Sequence, residues 1–118
     1  MTRDVREKGI DGESSACDFL TEKGFSVIER NYHAGKISEI DIVAVKDRLV
    51  VFAEVKTRGS DSFGGGVMAV TKKKRFRMRK AGEHYLMTHP QFGKDYSFRF
   101  DLVSITDGET LWITDILR

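Results

Sequence analysis

Two neighbouring apolar segments of this chain carry carboxylates, and that restricts how the segments can fold. Ser38 to Val45 reads S-E-I-D-I-V-A-V, and Leu49 to Lys56 reads L-V-V-F-A-E-V-K. Both are short and rich in β-branched residues, which predicts two strands. The polar link Lys46-Asp47-Arg48 is tight enough to join them as a hairpin. With Asp47 and Arg48 at the tip, Lys46 faces Leu49. That register sets Asp41 opposite Glu54 and Glu39 opposite Lys56. Like charges directly across a sheet are destabilising. A divalent cation between them removes the penalty, and hard cations prefer oxygen ligands. The hairpin therefore reads as a metal site, with Lys56 one pleat further along the same face.

The chain has 118 residues, of which 40% are hydrophobic. Residues 1–118 are expected to form a single domain with its own core. A net charge of +2 says little about partners, but its distribution says more. Thr71 to Lys80 reads T-K-K-K-R-F-R-M-R-K, with seven basic side chains and no acid. Such a block suggests an anionic partner such as nucleic acid, with a solvated helix face as the plainer reading. Cys17 is the only cysteine, which fits a reducing compartment. The mixed-charge N-terminus lacks a following apolar run, and no stretch approaches the roughly 20 apolar residues of a membrane span. A soluble cytoplasmic protein with no membrane association is expected.

The remaining pattern predicts a helix from about Asp4 to Lys23, capped by Asp4 and ended by Gly24. Gly9 and Gly12 weaken it but allow close packing on a sheet. Glu13 falls on or beside its buried face. Phe25 to Asn31 reads as a first strand, with a turn from His33 to Lys36. The stretch from Thr57 to Met68 is a glycine- and serine-rich loop without the lysine of a nucleotide P-loop. Thr71 caps a second helix that runs to about Thr88, with Met78, Ala81, Gly82, Tyr85 and Leu86 as its apolar stripe and Pro90 beyond its end. Ser97 to Ile105 and Thr110 to Leu117 are two further strands, separated by Asp107-Gly108. The expected class is α/β: a mixed β-sheet flanked by two helices, in the order α-β-β-β-α-β-β.

Asp41, Glu54 and Lys56 alternate so as to share one face of the sheet, and Glu13 could reach it from the first helix. Carboxylates hold Mg²⁺ with several waters left on the ion. Such an ion acidifies a water and offsets charge developing on a phosphate. A lysine beside it orients the attacking water or stabilises the crowded oxygens. Basic side chains from the second helix would grip flanking phosphates. These parts suit phosphodiester hydrolysis.

Asp41 followed thirteen residues later by Glu54-Val55-Lys56 resembles the PD-(D/E)xK nuclease signature. More specifically, the chain resembles the YraN-like family of small predicted endonucleases. The matching stretches are Gly12-Glu13 with Ala16 and Phe19-Leu20; Arg30-Asn31; Glu39-Ile40-Asp41; Phe52 with Glu54 to Arg58; Phe63-Gly64; Ala69-Val70-Thr71 with Lys74; Ala81 with Tyr85-Leu86; and Arg99-Phe100-Asp101. They cover nearly the whole chain. The resemblance implies a restriction-endonuclease-like core similar to that of the archaeal Holliday-junction resolvases. It implies metal binding by Asp41 and Glu54, catalysis by Lys56 with those two acids, and a supporting metal or water ligand in Glu13. Two positions depart from the pattern: Ile40 replaces the proline of the signature, and Ser38 stands where glycine is expected before Glu39.

The plainer reading of Asp41, Glu54 and Lys56 is a cross-strand salt-bridge ladder, but the second acid is surplus to it. Glu39 is a supporting residue that could hold the Lys56 ammonium. Arg58, Lys72, Lys73, Lys74, Arg75 and Arg77 are the candidate nucleic-acid contacts, with Lys74, in the first helical turn, foremost. Asp101 reads as a structural partner of Arg99 or of a basic residue on the second helix rather than a metal ligand. His33, His84 and His89 lack zinc-ligand spacing. The expected function is a Mg²⁺-dependent DNA endonuclease, with Mn²⁺ as a substitute, acting on branched or unusual DNA. The alternative is a nucleic-acid-binding module with a vestigial, inactive site. A homodimer would suit symmetric cutting of two strands.

Overall fold

A computed structural model describes residues 5–36, 38–58 and 71–117, without the side chains of residues 5–11 and 58. The first helix, α1, spans Val5–Glu22. It ends as its glycine predicts. Gly24 adopts a φ of 95°. Gly24 N–H bonds Thr21 O at 3.0 Å, and Phe25 N–H bonds Leu20 O at 3.0 Å. This paired-bond ending uses up carbonyls that the helix leaves open, and the buried Leu20 and Phe25 supply its hydrophobic contact.

Strands β1 (Ser26–Ala34), β2 (Ser38–Lys46) and β3 (Leu49–Arg58) follow, then helix α2 (Lys72–Thr88), a 3-10 turn over Pro90–Phe92, and strands β4 (Ser97–Thr106) and β5 (Glu109–Ile113). The sheet order is β1-β2-β3-β4-β5. Only β3 and β4 run parallel, joined through α2; the other neighbours are antiparallel. The expected mixed α/β class and element order are both observed. The hairpin tip falls at Asp47-Arg48, and Lys46 pairs with Leu49. Among the described residues, no helix is long and apolar enough to cross a membrane.

The helices cover opposite faces of the sheet. On the α1 side, Ala16 and Leu20 pack on Ile42, Ala44, Val51, Ala53, Val103 and Ile105. On the α2 side, Met78, Ala81 and Tyr85 pack on Ile40, Val43, Val50, Phe52 and Phe100. Gly12 explains how closely α1 lies on the sheet. A Cβ there would collide with Thr57 Oγ1.

Two strand boundaries differ from the sequence reading. β1 does not stop at Asn31 but pairs with β2 as far as Ala34 and Ser38. The last strand ends at Ile113 rather than Leu117. Beyond it, Asp115 takes a φ of 60°, and its N–H donates to Asp101 Oδ1 at 3.0 Å. Ile116 N–H then bonds Phe100 O at 2.7 Å. A buried carboxylate in β4 thus diverts the tail from the ladder. The Asp4 cap and most of the glycine-rich loop lie outside the described residues.

Candidate functional site

The site begins where β2 and β3 part. Their pairing runs from Lys46↔Leu49 to Ile42↔Ala53 and ends there. β3 continues against β4 as far as Arg58↔Thr106, while β2 continues against β1 as far as Ser38. Alternation along β2 breaks at the same point. Ile42 lies in the α1-side core and Ile40 in the α2-side core, though residues two apart in a regular strand share a face. On β1, between the residues paired with Ile40 and Ile42, Asn31 takes a positive φ of 53°. Asp41 therefore sits in the crotch of a fork. Its Oδ2 accepts the Val55 N–H at 2.8 Å, a backbone donor of the neighbouring strand.

The fork corrects part of the expected register. Asp41 and Glu54 are close but not ladder partners, and Glu39 does not oppose Lys56. Glu39 pairs instead with His33 of β1, its Oε2 lying 3.7 Å from His33 Nδ1. The hairpin register itself is the expected one from Lys46↔Leu49 to Ile42↔Ala53. It is interrupted because the Asp41 side chain takes up the Val55 donor.

Glu54 is buried, on the α2 side with Phe52 by alternation. Its Oε1 meets the Lys74 ammonium at 2.6 Å. The Thr71 cap, which accepts Lys74 N–H at 3.1 Å, sets Lys74 in the first turn of α2. Burial works against the Lys74 charge, but the hydrogen bond and charge of Glu54, with Asp41 and Glu39 behind it, raise its pKa. Asp41 makes no ion pair with a described residue, although the Lys74 charge is felt there. Burial first, and the Glu54 charge second, push its pKa up to about 7, against the lowering effect of the Val55 hydrogen bond. Lys56, half-buried on the Glu54 face, makes no ion pair or hydrogen bond with a described residue.

The other expected site residues are dispersed. Glu13 faces Arg30 at 3.7 Å and touches Asp41 only through its charge, which raises the Asp41 pKa. Lys72 and Lys73 are exposed on α2, and Arg75 is exposed but already engaged with another group. Arg77 is half-buried and lines a surface recess with His33, Lys36 and Glu39. The Arg58 side chain is outside the described residues. Asp101 fulfils its structural reading. It is fully buried and takes two bonds from Arg99 at 2.8 Å, besides those from Trp112 Nε1 at 3.0 Å and Asp115 N–H.

Sequence reasoning named Lys74 as a phosphate contact and missed that it meets Glu54. The Thr71 cap was the available signal, because it fixes which side of α2 faces the sheet.

Among the described residues, no three His, Cys, Asp or Glu side chains gather as a metal-binding group. The donor set is Asp41 with Glu54. That suits Mg²⁺, which takes one or two carboxylates and keeps several waters, better than an ion needing an all-protein cage. Asp41 also fits in electrostatic terms: its carboxyl is half-buried, beside another acid, with one oxygen free of any hydrogen bond from a described residue.

Comparison with known proteins agrees with the sequence motifs. Residues 12–105 match the uncharacterised protein family UPF0102. A UPF0102 protein of Syntrophomonas wolfei is 40% identical over 105 residues, covering 89% of this chain and 90% of its own. One from Cytophaga hutchinsonii is 40% identical over 103 residues, covering 87% and 88%. One from Fusobacterium nucleatum is 34% identical over 113 residues, covering 96% and 92%. With the match running from the α1 glycine through the fork to β4, the chain belongs to the UPF0102 family, the YraN-like group that its motifs resemble.

Proposed function

We propose that this protein is a metal-dependent DNA endonuclease whose active site is the β2–β3 fork. The observation that carries the reading is the Asp41–Glu54 pair. Two acids are held together at the end of a strand pairing, and one of them, Asp41, makes no ion pair with a described residue. Fold resemblance alone would not carry it, since one fold hosts many functions.

Asp41 and Glu54 would hold Mg²⁺ or Mn²⁺, which when bound lowers the pKa of a water and offsets charge on the phosphate. Val55 N–H fixes the orientation of Asp41, and Lys74 fixes that of Glu54. Lys56, without a partner among the described residues, donates hydrogen bonds to the attacking water or to the crowded phosphate oxygens. Glu13 adds negative charge from α1. Lys72, Lys73, Arg75 and Arg77 on α2, with Arg58 at the end of β3, hold flanking phosphates.

Glu54→Gln removes a metal ligand while keeping side-chain shape. It should abolish cleavage across a panel of single-stranded, duplex, flap and four-way DNA, with Mg²⁺ and Mn²⁺ compared, and leave the circular dichroism spectrum unchanged. Equal cleavage by wild type and variant would end this reading.

The Lys74–Glu54 ion pair favours a second reading. It already gives one acid an internal cation, as a nucleic-acid-binding module with an inactive site would need. Such a module binds DNA equally with and without Mg²⁺ and cuts none of the panel.

A further inference from the structure

A second polar feature lies beside the fork. His33 and Lys36 from the β1–β2 turn region, Glu39 from β2 and Arg77 from α2 line a surface recess of about 290 Å³. Glu39 is two residues from Asp41 along β2, a separation of about 7 Å at strand rise. The Glu39 charge reaches both Asp41 and Lys74, raising the pKa of each.

The balance of charges in the recess is uneven. Its single acid faces His33 at 3.7 Å. Arg77 is half-buried and makes no ion pair or hydrogen bond with a described residue, and neither does Lys36. A guanidinium withdrawn from water without an anion is unfavourable. Its planar fork of donors matches the oxygens of a phosphate. The recess is open to solvent and adjoins the fork, so a strand running through the fork can lay a phosphate into it.

We infer that the recess formed by His33, Lys36, Glu39 and Arg77 is the seat of one backbone phosphate flanking the cleavage position. Arg77 from α2 and Lys36 from the β1–β2 turn grip the same phosphate, and Glu39 holds the His33 ring beside it. The seat would make the protein require a strand that continues past the fork on the β1 side. This rests on the nucleic-acid reading above, but not on cleavage.

The test measures binding of a fluorescent DNA duplex against salt concentration, without divalent ions, for wild type, Lys36→Ala, Arg77→Ala and the double variant. Each phosphate contact contributes about 0.9 to the slope of log affinity against log salt. Each single variant should lower the slope by about one contact, and the double variant by no more than either, because both cations serve one phosphate. Lys94→Ala, at an exposed site on another part of the surface, serves as the control. Lys36 is exposed in a turn, so its variant retains the fold even if Arg77→Ala weakens it. Slopes that match the control, or losses that add fully in the double variant, overturn the shared seat while leaving the nuclease reading intact. Absence of DNA binding by the wild type overturns both.

Discussion

Asp41 and Asp101 are both withdrawn from solvent in the same sheet, yet their surroundings are opposite. Asp101 is fully buried and answered by four donors: two from Arg99, one from Trp112 and one from the Asp115 backbone. Among the described residues Asp41 has one donor, the Val55 backbone, and the Glu54 charge beside it pushes its pKa up. Satisfied buried charge fixes structure, here by pinning the tail after β5. Unsatisfied buried charge destabilises the fold, and a chain retains it most simply where a ligand completes the balance. On the proposed reading, the contrast separates a structural carboxylate from a functional one without appeal to fold.

The largest effect should come from breaking the satisfied side. Asp101→Asn keeps the volume but presents an amide to donors that need an acceptor. Breaking one member of a buried pair costs about 3–5 kcal/mol. Urea denaturation should show a loss of that size, with the tail after β5 released. A loss below about 1 kcal/mol, the worth of a surface pair, would mean that Asp101 is not what holds it.

The same substitution at Asp41 should act in the opposite direction. The Asp41 pKa is raised in the folded chain to about 7, from an ordinary 3.8. A raised folded pKa means that its stabilising contribution is complete below about pH 4 and is lost as pH rises through 7. Asp41→Asn escapes that loss while keeping an acceptor for Val55 N–H. Relative to wild type it should gain about 2–4 kcal/mol at pH 8 and almost nothing at pH 4. Added Mg²⁺ should narrow the gap at pH 8 by stabilising only the wild type. A variant less stable than wild type at pH 8 would show that Asp41 is a structural anion like Asp101.

Much of this contrast was legible in the sequence. Short-range rules act on neighbouring residues, so α2 was bounded from the Thr71 cap and Pro90, and the hairpin register from the Asp47-Arg48 tip; Arg99, two positions away, was one of two candidate partners for Asp101, and the structure selects it. What escaped depends on distant segments. The β2–β3 fork involves Asn31 of a third strand in a positive-φ conformation, and strand propensity carries no sign of that. The end of β5 is set by a carboxylate in β4. The Lys74–Glu54 contact forms only once α2 has docked, and the notion that Glu39 faces Lys56 failed because regular pairing was extended past the residue that interrupts it. The acids were identified by type and spacing; their different partners required the tertiary structure.

The smallest effect tests whether α2 takes part in the functional side of the contrast at a distance. Thr71 touches neither acid, but its Oγ1 accepts Lys74 N–H at 3.1 Å and so anchors the turn that carries the Glu54 partner. Thr71→Ala removes that acceptor and should cost about 1 kcal/mol, as N-cap deletions do. Thr71→Ser retains the hydroxyl and should restore most of it. The informative readout is the loss in a Lys74→Met background, where the ammonium is absent and Glu54 has no partner to lose. If the cap matters partly by holding Lys74 against Glu54, the cost of Thr71→Ala there should fall below its value in wild type, a coupling of about 0.5 kcal/mol or more between two positions in contact. An identical cost in both backgrounds would confine Thr71 to its own helix and leave the Glu54 pairing to the docking of α2 alone.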